Sequence, residues 1–381
     1  MSARLALVIL SLLFPILGTV AQTVVASMTI ANTNRDSVSI AVAWSGTGHI
    51  TANNTPLKNQ PNYTNFQYDV DYVYVPTGGK IKLIATGDAQ LIFLTCSANE
   101  LETLDVTNSP KLQTLMCSGN NLTSLDVTQC PELKELYCTD NQLGSLDLSN
   151  CPKLTILACR NTNLTNLDLS NCPQLTELSC ANNQLSTLDL SNCPKLTKLL
   201  CDFNQLTTLN ISNCLELSEL RCSYNQLSHL DVTNNPKLHT LHCDFNQLRK
   251  LNLTKNPELN LLWCVGNQLQ KLNLKKCPNL IILDCAHNRL TGLNLTKNTK
   301  LTSLNCAYNR LKKLDVAHNI HLTEINCAHN RLKKLDLSRN TSLLALNCSR
   351  NLLKTIKIAQ PSKLKELNIS NIPFAQKIFK H

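Results

Sequence analysis

The residues of this chain best suited to chemistry recur at an interval of 21. Thirteen of its nineteen cysteines fall on every twenty-first residue from Cys96 to Cys348, and the other six are Cys130, Cys151, Cys172, Cys193, Cys214 and Cys277. So many thiols would serve disulfides or metal. No CxxC pair gives zinc its usual local signature. A disulfide needs Cβ atoms closer, and angled more toward each other, than side chains standing in register about 4.8 Å apart. An oxidising compartment favours disulfides, but a buried thiol stays inert. The expected outcome is two ladders of buried thiols.

A second constellation repeats at the same interval. Asp202, Ser223 and Asp244 are 21 residues apart, with His242 two residues from Asp244. Two carboxylates two repeats apart have roughly the separation of an inverting glycosidase. Ser223 near Asp and His has the makings of a nucleophile, and Asp202 with Asp244 could hold a cation. A flat, solvated surface, however, offers little to raise one carboxylate's pKa. No oxyanion hole is implied and too few cation ligands are visible. No catalytic residue, metal or cofactor is assigned, and the chain is read as a non-enzyme.

What positions these residues is one unit, clearest at Leu133–Lys153 (LKELYCTDNQLGSLDLSNCPK). Its first-position leucine recurs from Leu91 to Leu364 without a slip, which makes fourteen coils, the last incomplete. The pattern L-x-x-L-x-C-x-x-N-x-L-x-x-L-D/N-L-x-x-C/N-P-x fits the leucine-rich-repeat template with Cys in place of the third Leu. One such unit cannot bury its own leucines, but stacked units cover one another. Apolar positions one, four, six, eleven, fourteen and sixteen point inward. The x-L-x-C-x stretch alternates with period two and reads as a short strand. Position nine is Asn in nearly every coil and should turn the chain and bond backbone of the next coil. Its one replacement, Thr162, predicts a small local defect. Position nineteen accepts Cys or Asn, which suits a small buried side chain with some hydrogen-bonding power. The Asp-Leu-Ser-Asn-Cys-Pro run is turn-rich and too short for a helix.

The expected fold is a leucine-rich-repeat solenoid: a right-handed α/β-type superhelix, mostly β, with a parallel concave sheet and short 3₁₀ or turn segments on the convex side. The repeat resembles that of bacterial surface proteins of the internalin type, in the branch whose 21-residue units carry a cysteine ladder. The resemblance covers residues 91 to about 370. It implies a curved solenoid and an extracellular binding or adhesion role, with ligand on the concave face. Unlike wall-anchored members, this chain shows no sorting signal and no C-terminal immunoglobulin-like modules.

Residues 1–21 read as a secretory signal peptide: Arg4 opens it, Leu5–Leu17 form its apolar core, and the Thr19-Val20-Ala21 end is cleavable. Export to the exterior or cell surface follows, with no transmembrane segment once the signal is removed. Residues 22–90 lack the repeat and lack cysteine. They predict a small β-rich module that caps the first coil, with Trp44, Tyr68, Tyr72 and Tyr74 in its core. Residues 91–371 form the solenoid, and 372–381 a closing tail in which Ile372, Phe374, Ile378 and Phe379 cover the last coil. Sequons such as Asn62 and Asn121 matter only where the source glycosylates them.

Two surfaces could recognise a partner. Positions three, five, seven and eight are expected on the concave face. There the middle coils carry Leu200, Phe203, Arg221, Tyr224, His242, Phe245, Leu261, Trp263, Ile282 and His287, where other coils hold Ala, Ser, Asn or Gly. An exposed patch of these types suits a protein or glycan ligand; the alternative is that the rings only pack along the ladder. The second surface is basic. Residues 1–90 carry 5 Lys+Arg against 4 Asp+Glu, residues 91–248 carry 8 against 16, and residues 249–381 carry 23 against 6. Arg310, Lys312, Lys313, Arg331, Lys333 and Lys334 form a stripe, with Arg249, Lys250, Lys271 and Lys354 in line. Such a stripe attracts an anionic polymer or lipopolysaccharide, weakening with salt, or simply keeps a solvated face soluble. Nucleic acid is not expected, since no motif for it is present. The chain is expected to be a monomer.

Overall fold

The computed structural model describes residues 22–30, 37–53, 55–56, 58–59, 71–76 and 80–372. The proposed signal segment, Tyr68, the side chains of Tyr72 and Tyr74, and the tail residues Phe374, Ile378 and Phe379 lie outside these. The chain packs as two compact units, residues 1–133 and 134–381.

In the first unit the β-rich module packs with the first two coils. The strand Gln22–Ile30 runs antiparallel to Lys80–Thr86 and to Leu101–Asp105. The strand Ser37–Ser45 runs antiparallel to Asp71–Pro76 and to Gln90–Thr95, which in turn pairs in parallel with Thr114–Met116 of coil 2. The module therefore stands where a preceding coil would be. Phe93 packs on Ala41 and Ala43. The position-nine amide of coil 1, Asn99, accepts from Ser39 N–H at 3.1 Å and donates to Ser39 C=O at 2.7 Å. Trp44 is half-buried; its Nε1–H donates to Gly48 C=O at 2.9 Å and its ring meets His49 edge-on.

The second unit stacks one short strand per coil, from Glu135–Tyr137 to Glu366–Asn368. The pairing is parallel and in register, so that Leu199, Leu220, Leu241 and Leu262 stand in one column. The strands occupy positions three to five. They stop because position eight is left-handed in coil after coil: φ is +55° at Asp140, +54° at Phe203, +49° at Phe245 and +52° at Tyr308. The back of each coil is two successive turns, as in Cys214 N–H to Ile211 C=O and Leu217 N–H to Cys214 C=O. It carries one pair of extended segments, Lys334–Leu337 and Thr355–Ile358, and the 3₁₀ turn Pro361–Lys363 is the single helical piece described. The solenoid of parallel strands, with almost no helix, is the fold the repeat predicts.

All nineteen cysteines are buried, and no disulfide forms among the described residues. Desolvation alone pushes the Cys96 thiol up to about 12, and it is the main cause of the same rise at Cys138. At position nine the amides reach the preceding coil rather than the next. Asn204 Nδ2 donates to Cys180 C=O at 3.0 Å and to its own Cys201 C=O at 3.2 Å, while Leu185 N–H donates to Asn204 Oδ1 at 3.0 Å. Thr162 is too short for that reach. Its hydroxyl bonds Cys159 C=O at 2.6 Å, Gly144 N–H turns to Thr162 C=O at 3.0 Å, and Asn163 takes φ +61°. At position nineteen, Asn235, Asn256, Asn298, Asn319 and Asn340 each donate twice to carbonyls of the preceding coil. Their five Oδ1 atoms are buried and have no partner among the described residues.

One surface assignment is corrected. Position seven is largely withdrawn from the open face: Ser223, Asp244, Ala286, Ala307 and Ala328 are buried and Asp202 and Val265 half-buried, while Arg160 is exposed. Strand alternation would place it outward beside positions three and five, but the left-handed residue that follows bends the chain over it.

Candidate binding surface

The site is built on position eight. A left-handed backbone favours Gly or Asn, because a Cβ there crowds the following carbonyl. Gly119, Asn161, Asn182 and Gly266 meet that preference; Phe203, Tyr224 and Phe245 do not. These three rings stack face to face, Phe203 on Tyr224 at 4.3 Å and Tyr224 on Phe245 at 4.5 Å between centroids. Each leaves its outer edge open, with Phe203 51% and Phe245 44% exposed. Gly266 ends the row, and Phe245 leans over it: a Cβ at 266 would lie 2.6 Å from Phe245 Cδ1. Beyond it a second row begins, His287 on Tyr308 at 4.1 Å and Tyr308 on His329 at 3.8 Å.

Position five runs alongside on the strands. His242 stacks on Trp263 at 4.3 Å, and Trp263 is 41% exposed. Burial, and after it the Arg221 charge, holds the His242 imidazole below its usual pKa. Arg221 is exposed, and its Nε–H donates to Glu219 Oε1 at 2.7 Å. Leu200, Leu261 and Ile282 are half-buried on the strands of coils 6, 9 and 10. Eight of the ten residues singled out from sequence thus stand together on coils 6 to 9. Ile282 and His287 stand on coil 10, the latter across Gly266. Tyr308 and His329 extend the ring row and were not singled out; their presence in the same column was the available signal.

Beneath the rings lies a line of carboxylates. Ser223 N–H donates to Asp202 Oδ1 at 2.8 Å and Ser223 Oγ–H to Asp244 Oδ2 at 3.1 Å, while Val265 N–H donates to Asp244 Oδ1 at 2.7 Å. Burial raises the Asp244 carboxyl to about 6 against those hydrogen bonds, and burial also raises Asp202 and Asp284. The expectation that this face could not raise a carboxylate's pKa therefore fails at Asp244, because that side chain is enclosed. Ser223 and Asp244 point into the wall rather than toward solvent and are engaged with each other. No cluster of three potential metal ligands occurs among the described residues.

The basic residues stand elsewhere. Lys312, Lys313, Arg331, Lys333 and Lys334 line a groove of about 910 Å³ on the flank, formed by positions ten to eighteen, with Arg339 at its edge. Arg310 is exposed on the same flank but does not line that groove.

A family model for leucine-rich repeats in two copies matches residues 110–150. None of the curated proteins compared matches the chain. Among solved structures, the functional domain of InlJ from Listeria monocytogenes, which includes a cysteine ladder, aligns at 32% identity with a TM-score of 0.66, over 74% of this chain and 69% of that one. A leucine-rich-repeat protein of Leptospira interrogans aligns at 25% identity and TM-score 0.64, over 73% and 77%. YopM, a leucine-rich effector of Yersinia pestis, aligns at 27% and 0.58, over 75% and 84%. No helix among the described residues is long and apolar enough to cross a membrane. The chain belongs to the internalin-type leucine-rich-repeat proteins whose 21-residue coils carry a cysteine ladder.

Proposed function

We propose that this is an exported, non-enzymatic binding protein that holds a partner protein against the ring rows of its sheet face. The observation that carries the reading is the set of bulky rings on left-handed backbone. That conformation costs a non-glycine residue about 1–2 kcal/mol, and a ring stack returns about 0.5–1.5 kcal/mol. The fold gains little from Phe203, Tyr224 and Phe245 where Gly and Asn serve other coils, so their use lies outside the fold. Trp263, Arg221 and the ring edges are the residue types that concentrate binding energy.

The geometry favours a protein over a glycan. Sugars lie on open ring faces, and here the inner faces of each row cover one another while the edges point outward. Only end faces are left over, such as that of Phe203 toward coil 5 and that of Trp263 turned away from His242, toward the neighbouring Asp284. The test is a panel of secreted and membrane ectodomains run beside a glycan array, on wild type and on the Trp263→Ala/Phe245→Ala variant. A ligand from the protein panel, bound by wild type and lost by a variant of unchanged melting temperature, supports the reading. Equal binding by both proteins defeats it, and hits on the glycan array alone would reassign the ligand.

A further inference from the structure

The flank that carries the basic groove is also the flank that carries the chain's clearest acidic ladder. At position fifteen, coils 3, 4 and 5 present Asp147, Asp168 and Asp189, all fully exposed, each accepting from the N–H two residues on. No Lys or Arg stands at positions twelve, thirteen, seventeen or eighteen of these coils. Positions twelve and thirteen are small there: Gly144 and Ser145, Thr165 and Asn166, Ser186 and Thr187. The result is a shallow polar groove of about 370 Å³ lined by Asp168 and Asp189. In coils 11 and 12 the same positions hold Lys312, Lys313, Lys333, Lys334 and Arg339.

We infer that this flank is the contact between two copies of the chain, paired antiparallel about a twofold axis between coils 7 and 8. A twofold in the contact plane sets coil n of one copy against coil 15 − n of the other. Asp147 then meets Lys333 and Lys334, Asp168 meets Lys312 and Lys313, and Asp231 of coil 7 meets Arg249 and Lys250 of coil 8. Shifting the register by one coil sets Arg249 and Lys250 against their own copies in one direction and Asp231 against its own copy in the other, and parallel pairing sets every like charge against its like. Columns face their own kind, so Asp168 stands opposite Asp315 and Asp147 opposite Asp336. Each of those is outnumbered by two lysines whose long stems reach across two columns over the small residues opposite, and Asp336 already has Lys357 at 3.7 Å. Ten coils, 3 to 12, at about 4.8 Å each give a contact about 48 Å long. The pairing is isologous, and because exposed ion pairs are individually weak it is reversible and salt-sensitive. It departs from the monomer expected from sequence and leaves the ring rows uncovered.

Sedimentation velocity of the full chain, across concentration at low and high salt, tests this. Wild type dimerises at low salt and dissociates at high salt. Asp147→Lys/Asp168→Lys alone and Lys313→Glu/Lys334→Glu alone each weaken the dimer at least tenfold. An equimolar mixture of the two variants restores it as a one-to-one heterodimer, because both contacts are then again between opposite charges. The inference is overturned by a wild type that stays monomeric, by a mixture no tighter than its parts, or by a monomer whose basic groove simply binds dextran sulfate.

Discussion

Replacing Asn246 with Ala should cost about 2–4 kcal/mol while touching nothing apolar. Its Nδ2 donates to Cys222 C=O at 3.0 Å, Cys243 C=O at 3.2 Å and Asp244 C=O at 3.1 Å, and its Oδ1 accepts from Leu227 N–H at 2.9 Å. The carbonyls are insured: Cys222 C=O keeps Asn225, Cys243 C=O keeps Asn267, and Asp244 C=O keeps Tyr224 N–H. Leu227 N–H is not, and becomes an unsatisfied donor in the interior. That orphan costs about 1–3 kcal/mol, and the lost bonds add about 1 kcal/mol more. Because each coil contacts only its neighbours, the damage should be local. Urea unfolding followed by circular dichroism reads the free energy, and hydrogen exchange by mass spectrometry reads the amide. Leu227 should lose protection while Leu206 and Leu248, served by Asn225 and Asn267, keep theirs. A cost below about 1 kcal/mol, or an unchanged Leu227 amide, would refute the view that the Asn ladder holds the coils together.

Other outcomes follow from the same geometry. The folded state holds Asp244 at about 6, above the ordinary 3.8, so its charge opposes folding above pH 6 and that penalty fades as pH falls through 6. Asp244→Asn, which can keep both hydrogen bonds, should stabilise the protein at pH 7.5 by up to about 3 kcal/mol and at pH 4.5 by only about 1 kcal/mol; denaturant melts at both pH values check this. Gly266→Ala forces a Cβ against the Phe245 ring at a φ of +65°, and should cost about 1–2 kcal/mol and weaken any ligand held by that ring. Native protein should resist a maleimide, and all nineteen thiols should react once it is unfolded, as mass spectrometry would count.

Much of this fold could be read from spacing alone. The leucine register fixes the coil, and the Cys-or-Asn choice at position nineteen already implied a small buried polar site. What spacing could not convey was the sign of φ at position eight. Gly119, Asp140, Asn161, Asn182 and Gly266 in one column were the hint, and with it Asp244 would have been placed under the bend rather than on the face. Its raised pKa was hidden for the same reason: period-two alternation stops where the chain turns, and desolvation depends on that turn. The direction of the Asn ladder was also hidden, because an amide can reach either way along a stack until the backbone register is known. The rings of coils 6 to 8 stood out by type, but whether they present faces or edges is a matter of stacking, which sequence does not carry.

The most direct test of the central claim is a hydroxyl-radical footprint of the protein alone and bound to the ectodomain found in the panel. Protection of Phe203, Tyr224, Phe245 and Trp263, with the flank lysines unchanged, is the predicted result. Protection confined to Lys312, Lys313, Lys333 and Lys334, with the rings as reactive as before, would contradict it.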